Sequence, residues 1–162
     1  MRVVSTPLRA AAIALALVGL VAGCGGGGDD TKDAFEAKVV DARNAADSSF
    51  AFITRPKSTE DLVERLRTSR DKIANASGSI ATAEAPQELA DEQSRLARAL
   101  SEMSKEMEAA ANSIQLVIDG QSPGVGPVET LVFDTWDSVQ AVLNDLRAAG
   151  IDVALLRPGG GP

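Results

Sequence analysis

Between Leu89 and Val117 the apolar side chains recur at intervals of three and four residues, and this pattern restricts the fold more than any other feature of the chain. Leu89, Leu96, Leu100, Met103, Met107, Ala110, Ile114 and Val117, with Gln93 as a polar member, form a seam about four heptads long. Residues at these spacings share one face of an α-helix, whereas a strand would scatter them over both faces. Such a helix is about 50 Å long at roughly 1.5 Å per residue, and its apolar stripe needs other helices to cover it. Pro86 suits its first turn, Glu88 and Asp91 suit the positive end of its dipole, and Gly120 marks its stop.

The flanking segments have partner helices to offer. Ser58-Thr59-Glu60-Asp61 resembles a capping box with Asp in place of Glu, and Leu62, Leu66, Ser69, Ile73, Ala76, Ile80 and Ala83 continue as a second heptad seam. Gly78 weakens that helix by about 1 kcal/mol relative to Ala, while small residues on the seam allow a neighbour to approach closely. An earlier helix carries Phe35, Val39, Ala42, Ala46, Phe50 and Ile53, with Asp30 or Thr31 as its cap and Arg55-Pro56 ending it near Thr54. After the Gly/Pro-rich loop 121–127, a fourth helix is expected from about Val128 to Ala149, with Val132, Trp136, Val139, Leu143 and Leu146 as its apolar face. Gly150 is its C-cap. Ile151 to Leu156 is a short apolar tail suited to capping an open bundle end, and Gly159 to Pro162 are expected to be disordered. The fold expected is all-α, an antiparallel four-helix bundle with left-handed, heptad-like crossings.

Composition narrows the chemistry available to such a body. The chain has no histidine, which removes the commonest general base, a leading metal ligand and the near-neutral pH switch together. Its net charge of −7 repels phosphate backbones, so nucleic acid is not an expected partner. Met103 and Met107 lie one turn apart but lack His or further thioether partners in the body, and read as core. Glu84, Glu88, Asp91 and Glu92, and likewise Glu102, Glu106 and Glu108, group carboxylates on helix faces. The helical di-metal pattern also demands Glu-x-x-His, which this chain cannot supply. Ser69 and Lys72 form a Ser-x-x-Lys pair, yet Ser69 belongs to a seam and the companion motifs of penicillin-recognising enzymes are missing. No catalytic residue, metal site or cofactor site is therefore expected.

Phe35, Phe50, Phe133 and Trp136 fit a core. Phe52 departs from the face of Phe50 and Ile53, so either the apolar tail buries it or it marks a partner surface. A pocket between helices, if one exists, is expected around Phe50, Met103 and Trp136.

At the N-terminus Arg2 and Arg9 precede the uncharged run from Ala10 to Ala22, too short to span a bilayer but of the length of an export signal. Val21-Ala22-Gly23-Cys24 follows, an aliphatic residue and two small ones before the chain's single cysteine. This segment resembles the lipobox of bacterial lipoprotein precursors. The resemblance implies cleavage between Gly23 and Cys24, a diacylglyceryl group on the Cys24 sulfur and attachment to the outer face of the cell membrane or to an envelope membrane. Two or three acyl chains anchor a protein stably where one does so marginally. The competing readings are a secretory signal that leaves Cys24 a free thiol, an uncleaved anchor, and a buried cysteine, which Gly25 to Gly28 disfavour. A second, shorter resemblance, in Ala85-Pro86-Gln87-Glu88-Leu89-Ala90-Asp91-Glu92, is to helical segments of uncharacterised actinobacterial lipoproteins, and it implies no activity.

The expected organisation is a signal peptide over 1–23, lipidated Cys24 with a flexible tether over 24–30, a helical domain over 31–156 and a disordered tail over 157–162. The expected function is non-enzymatic: a membrane-anchored envelope protein that binds or scaffolds another protein, with membrane lipid met through Cys24. An extracytoplasmic bundle that senses a small ligand is the alternative.

Overall fold

A computed structural model describes residues 27–121 and 133–157, so Val21, Ala22, Gly23 and Cys24 lie outside the described residues. Within them the protein is all-helical, with four α-helices and no strand: α1 Gly27–Ile53, α2 Thr59–Ala81, α3 Ala90–Ile118 and α4 Thr135–Ala148. A 3-10 turn, Gln87–Leu89, leads from Pro86 into α3. No helix of the described residues is long and apolar enough to cross a membrane.

Most of the heptad positions are where the core is. Leu62, Leu66, Ser69, Ile73 and Ile80 of α2 are buried, as are Leu96, Leu100, Met103, Met107 and Ile114 of α3. Each fully buried Leu, Ile or Met side chain contributes about 1.5–3 kcal/mol relative to exposure. The α2 and α3 faces pack on each other most extensively, with α1 on α2 and α4 on α3. Across α2 and α3, Ser77 Oγ donates to Ala97 O at 2.7 Å and Arg70 Nη1 pairs with Glu108 Oε2 at 2.9 Å. Across α1 and α2, Lys72 meets Ser48 and Arg65 meets Phe52. Across α3 and α4, Arg95 meets Asp145 and Glu106 meets Thr135. In each pair the residue numbers fall along one helix as they rise along the other.

Gly78, in contrast, is solvent-exposed, with nothing within 4 Å of a Cβ placed there. The close α2–α3 approach runs through Ser77 and Ala97 instead.

Helix ends follow local chemistry where a local group is present. Ser58 caps α2 by accepting from Asp61 N at 3.2 Å. The reciprocal arm is displaced by one residue, because Asp61 Oδ2 accepts from Lys57 N at 2.6 Å. Gly120 takes φ +68° after α3, and Gln121 N and Gly120 N close onto Leu116 O and Val117 O. Gly150, φ +86°, repeats this turn after α4. Both are the left-handed terminations that glycine makes without steric cost.

Three boundaries differ from the sequence reading. Helix α1 begins at Gly27, ahead of the expected cap, so residues 27–30 of the expected tether are helical. Asp30 and Asp33 lie in its N-terminal turns, where carboxylates complement the helix dipole. Helix α4 begins at Thr135; Phe133 and Asp134 precede it without helical structure, and 128–132 lie outside the described residues. The start is set across the bundle, where Glu106 Oε2 accepts from Thr135 Oγ1 at 2.6 Å and Thr135 N at 3.3 Å. Finally, residues 151–157 run beside α1 rather than over a bundle end, and Arg157, expected to be disordered, hydrogen-bonds Asp47.

Candidate functional site

Phe50 and Met103 are wholly buried, and Trp136 is half-buried. The Phe50 ring meets Phe133 edge-on at 5.3 Å and 77°, and Trp136 at 4.4 Å and 89°. Such aromatic pairs add about 0.5–1.5 kcal/mol beyond the area they bury. Phe50 and Trp136 are thus brought together, in a packed contact that joins α1 to α4. Two surface grooves open elsewhere. One of about 370 Å³ lies between α3 and α4 beside Arg95, Arg98 and Ser138, and one of about 250 Å³ lies beside Thr31, Lys38 and Glu84. Phe50, Met103 and Trp136 line neither of these two grooves.

Phe52 has the opposite environment. It is 43% exposed at the last turn of α1, and the tail that would have buried it lies along residues 36–47 of that helix. The Arg65 guanidinium sits 4.5 Å above its ring, an arrangement in which the cation is attracted by the ring quadrupole. Arg65 is fixed there by Asp61 Oδ2 at 2.8 Å and by Phe52 O at 2.7 Å. The Lys57 N–H, and with it the Arg65 guanidinium, holds the Asp61 carboxyl below its ordinary range. Hydrogen bonds from its own N–H and from Ser58 do the same for Glu60. The other large exposed apolar residue among those described, Leu116 at 45%, lies in the last turn of α3.

The remaining candidates are separated or occupied. Ser69 Oγ is buried and reaches Ser49 O at 3.4 Å, while Lys72 Nζ donates to Ser48 Oγ, so the Ser-x-x-Lys pair does not meet. Ser48 in turn donates its proton to Asn44 O. Glu102 pairs with Lys105, Glu106 with Thr135 and Glu108 with Arg70. Among the described residues no group of three or more acidic or cysteine side chains is placed to hold a metal ion. Met103 and Met107 are both fully buried core residues.

Sequence periodicity gave no sign of one further set of polar contacts. Glu36, Arg43 and Asp47 of α1 and Gln140 of α4 all hydrogen-bond to the main chain of residues 152–157. Arg43 and Asp47 also pair at 2.9 Å, with side chains only 11% and 9% exposed. An arginine and an acid four apart on a helix read in sequence as an ordinary surface pair. No family model, curated protein or solved structure matches this chain.

Proposed function

We propose that the protein is a lipid-anchored envelope protein that binds or scaffolds another protein without catalysing a reaction. In this reading the signal is cut between Gly23 and Cys24, Cys24 carries the diacylglyceryl group, and the body stands on the outer face of the cell membrane or an envelope membrane. The body is an antiparallel bundle, a reading that the opposed contact pairs across successive helices support, and the heptad spacing favours left-handed crossings. The observation that carries the binding role is the exposure of Phe52 under the Arg65 guanidinium. A large aromatic ring left open beside a fixed arginine is the composition of a protein-contact hot spot. Phe52 lies near the far end of α1 from Gly27, about 40 Å along a helix rising 1.5 Å per residue.

The test joins lipid analysis to crosslinking in cells. Wild type is expected to carry a lipid mass on Cys24 and to fractionate with membranes, and Cys24→Ala to lose both. Membrane association unchanged in Cys24→Ala, with no lipid mass on wild type, overturns the anchoring. Phe52→Ala is expected to lose the crosslinked partner while keeping its helicity; the same partner caught at the same yield overturns the role of this surface.

A further inference from the structure

We infer that the cleft between α1 and α4 is a recognition site for an extended peptide, and that residues 151–157 occupy it in cis. This rests on the protein-binding reading above and names a second surface for it and the chemistry of its partner.

Ile151, Val153 and Leu156 are buried to 2–3% exposure, while Asp152, Ala154 and Arg157 face solvent. Most of this segment alternates as an extended chain does, yet no strand lies beside it among the described residues. Its main chain is held instead by helix side chains. Glu36 Oε2 accepts from Asp152 N at 2.8 Å, and Asp47 Oδ1 accepts from Arg157 N at 3.2 Å. Gln140 Oε1 accepts from Leu156 N at 2.9 Å. Arg43 donates to Leu155 O through Nη2 at 2.5 Å and Nε at 3.2 Å.

Ile151, Val153 and Leu156 fill the cleft by apolar contact, and an extended occupant also needs partners for its main-chain groups. This cleft supplies an acceptor, a donor and a second acceptor along α1 to the backbone of its occupant, groups that any extended segment presents. Arg43 and Asp47 are largely removed from water, which is costly for charges unless their hydrogen bonds are met. The site is therefore fitted to any extended segment with apolar residues at its first, third and sixth positions. A basic residue at the seventh meets Asp47, as Arg157 does at 3.3 Å. Tethered at Gly150, the tail competes at an effective concentration in the millimolar range, so a partner at micromolar concentration meets a mostly closed cleft.

The probe is a labelled peptide of residues 150–157, GIDVALLR, followed by fluorescence anisotropy with the full chain. Val153→Ser, which loosens the tail, is expected to bind it at least ten-fold more tightly than wild type, and Arg43→Ala in that background to lose the gain. Equal binding of a scrambled peptide, or no binding to a Val153→Ser protein of wild-type helicity, overturns the inference. Wild type supplies an independent readout through amide hydrogen exchange. Millimolar peptide should accelerate exchange at residues 152–157, and unchanged protection there overturns the inference even if the variant fails to fold. A concentration-dependent dimer formed by tail exchange also overturns it, since the cleft would then belong to a second copy. Failure in any of these arms leaves the Cys24 and Phe52 experiments unaffected, so the two readings are separable.

Discussion

Gln93 stands at a seam position and is a sensitive point of the α2–α3 junction. Its Nε2 donates to Ile80 O and to Ala83 O, both at 2.7 Å, and so ties the end of α2 and the turn after it to α3, adding a second donor to Ile80 O, which also accepts from Ala83 N at 3.2 Å. Gln93→Met retains the length of the side chain and removes both donors. At about 0.5–1.5 kcal/mol net per hydrogen bond, the loss is about 1–3 kcal/mol. For a domain of this size that corresponds to a fall in Tm of roughly 2–4 °C per kcal/mol. Gln93→Glu is the sharper test, because it turns carboxylate oxygens toward two carbonyls at pH 7. This raises the folded-state pKa of the introduced acid above its unfolded value. Its destabilising effect is therefore present at high pH and is relieved as pH falls through the folded pKa, where the protonated acid can donate one bond. Urea unfolding followed by far-UV circular dichroism at pH 7 and pH 4 measures both variants. A Gln93→Met protein within about 0.5 kcal/mol of wild type, the range of an ordinary surface change, refutes the junction argument, as does a Gln93→Glu protein equal to wild type at pH 7.

Two glycines should respond with opposite signs to the same substitution. Gly150→Ala places a side chain at φ +86°, with its Cβ 3.4 Å from Lys32 Nζ, and should cost about 1 kcal/mol or more. Gly78→Ala, inside α2 with open space around the new Cβ, should add about 0.5–1 kcal/mol, and thermal unfolding of the pair checks both. The carboxyls of Glu60 and Asp61 are lowered in the folded state, so their stabilisation is present above the unfolded carboxylate range near 4 and is lost as pH falls through the folded values. Asp61→Asn should accordingly be less stable than wild type at pH 7 and converge with it in acid; a constant difference between their Tm values from pH 7 to pH 2 contradicts this linkage.

What the sequence discloses and what it hides divide by the range of the interaction. Leu62, Leu66, Leu96, Leu100, Met103 and Met107 are buried as their spacing requires, because a helical face is a local property. The stops at Gly120 and Gly150 are equally local, each a left-handed residue closing carbonyls of its own helix. The start of α4 is not, since Thr135 is held by Glu106 from the middle of α3. Nor is the course of the tail, which depends on α1 side chains more than a hundred residues earlier in the chain. Periodicity marks Phe52 only as out of phase with its helix face; its exposure depends on where the tail goes.

One device connects the features that periodicity could not supply. At the end of α2, the start of α4 and along the extended tail, main-chain groups lack sufficient partners of their own, and a polar side chain from another helix provides them. Gln93 does so for α2, Glu106 for α4, and Glu36, Arg43, Asp47 and Gln140 for the tail. Main-chain groups drawn partly out of water need partners, so each of these side chains helps to fix a course of the chain that its own helix does not determine. Gln93 and Glu106 meet an invariable part of the chain, a helix end. The tail set meets a segment with no helix or ladder of its own, joined to the bundle through a single left-handed glycine. The same hydrogen-bond chemistry that closes the bundle at its ends therefore leaves, along α1, a binding surface whose occupant can be exchanged.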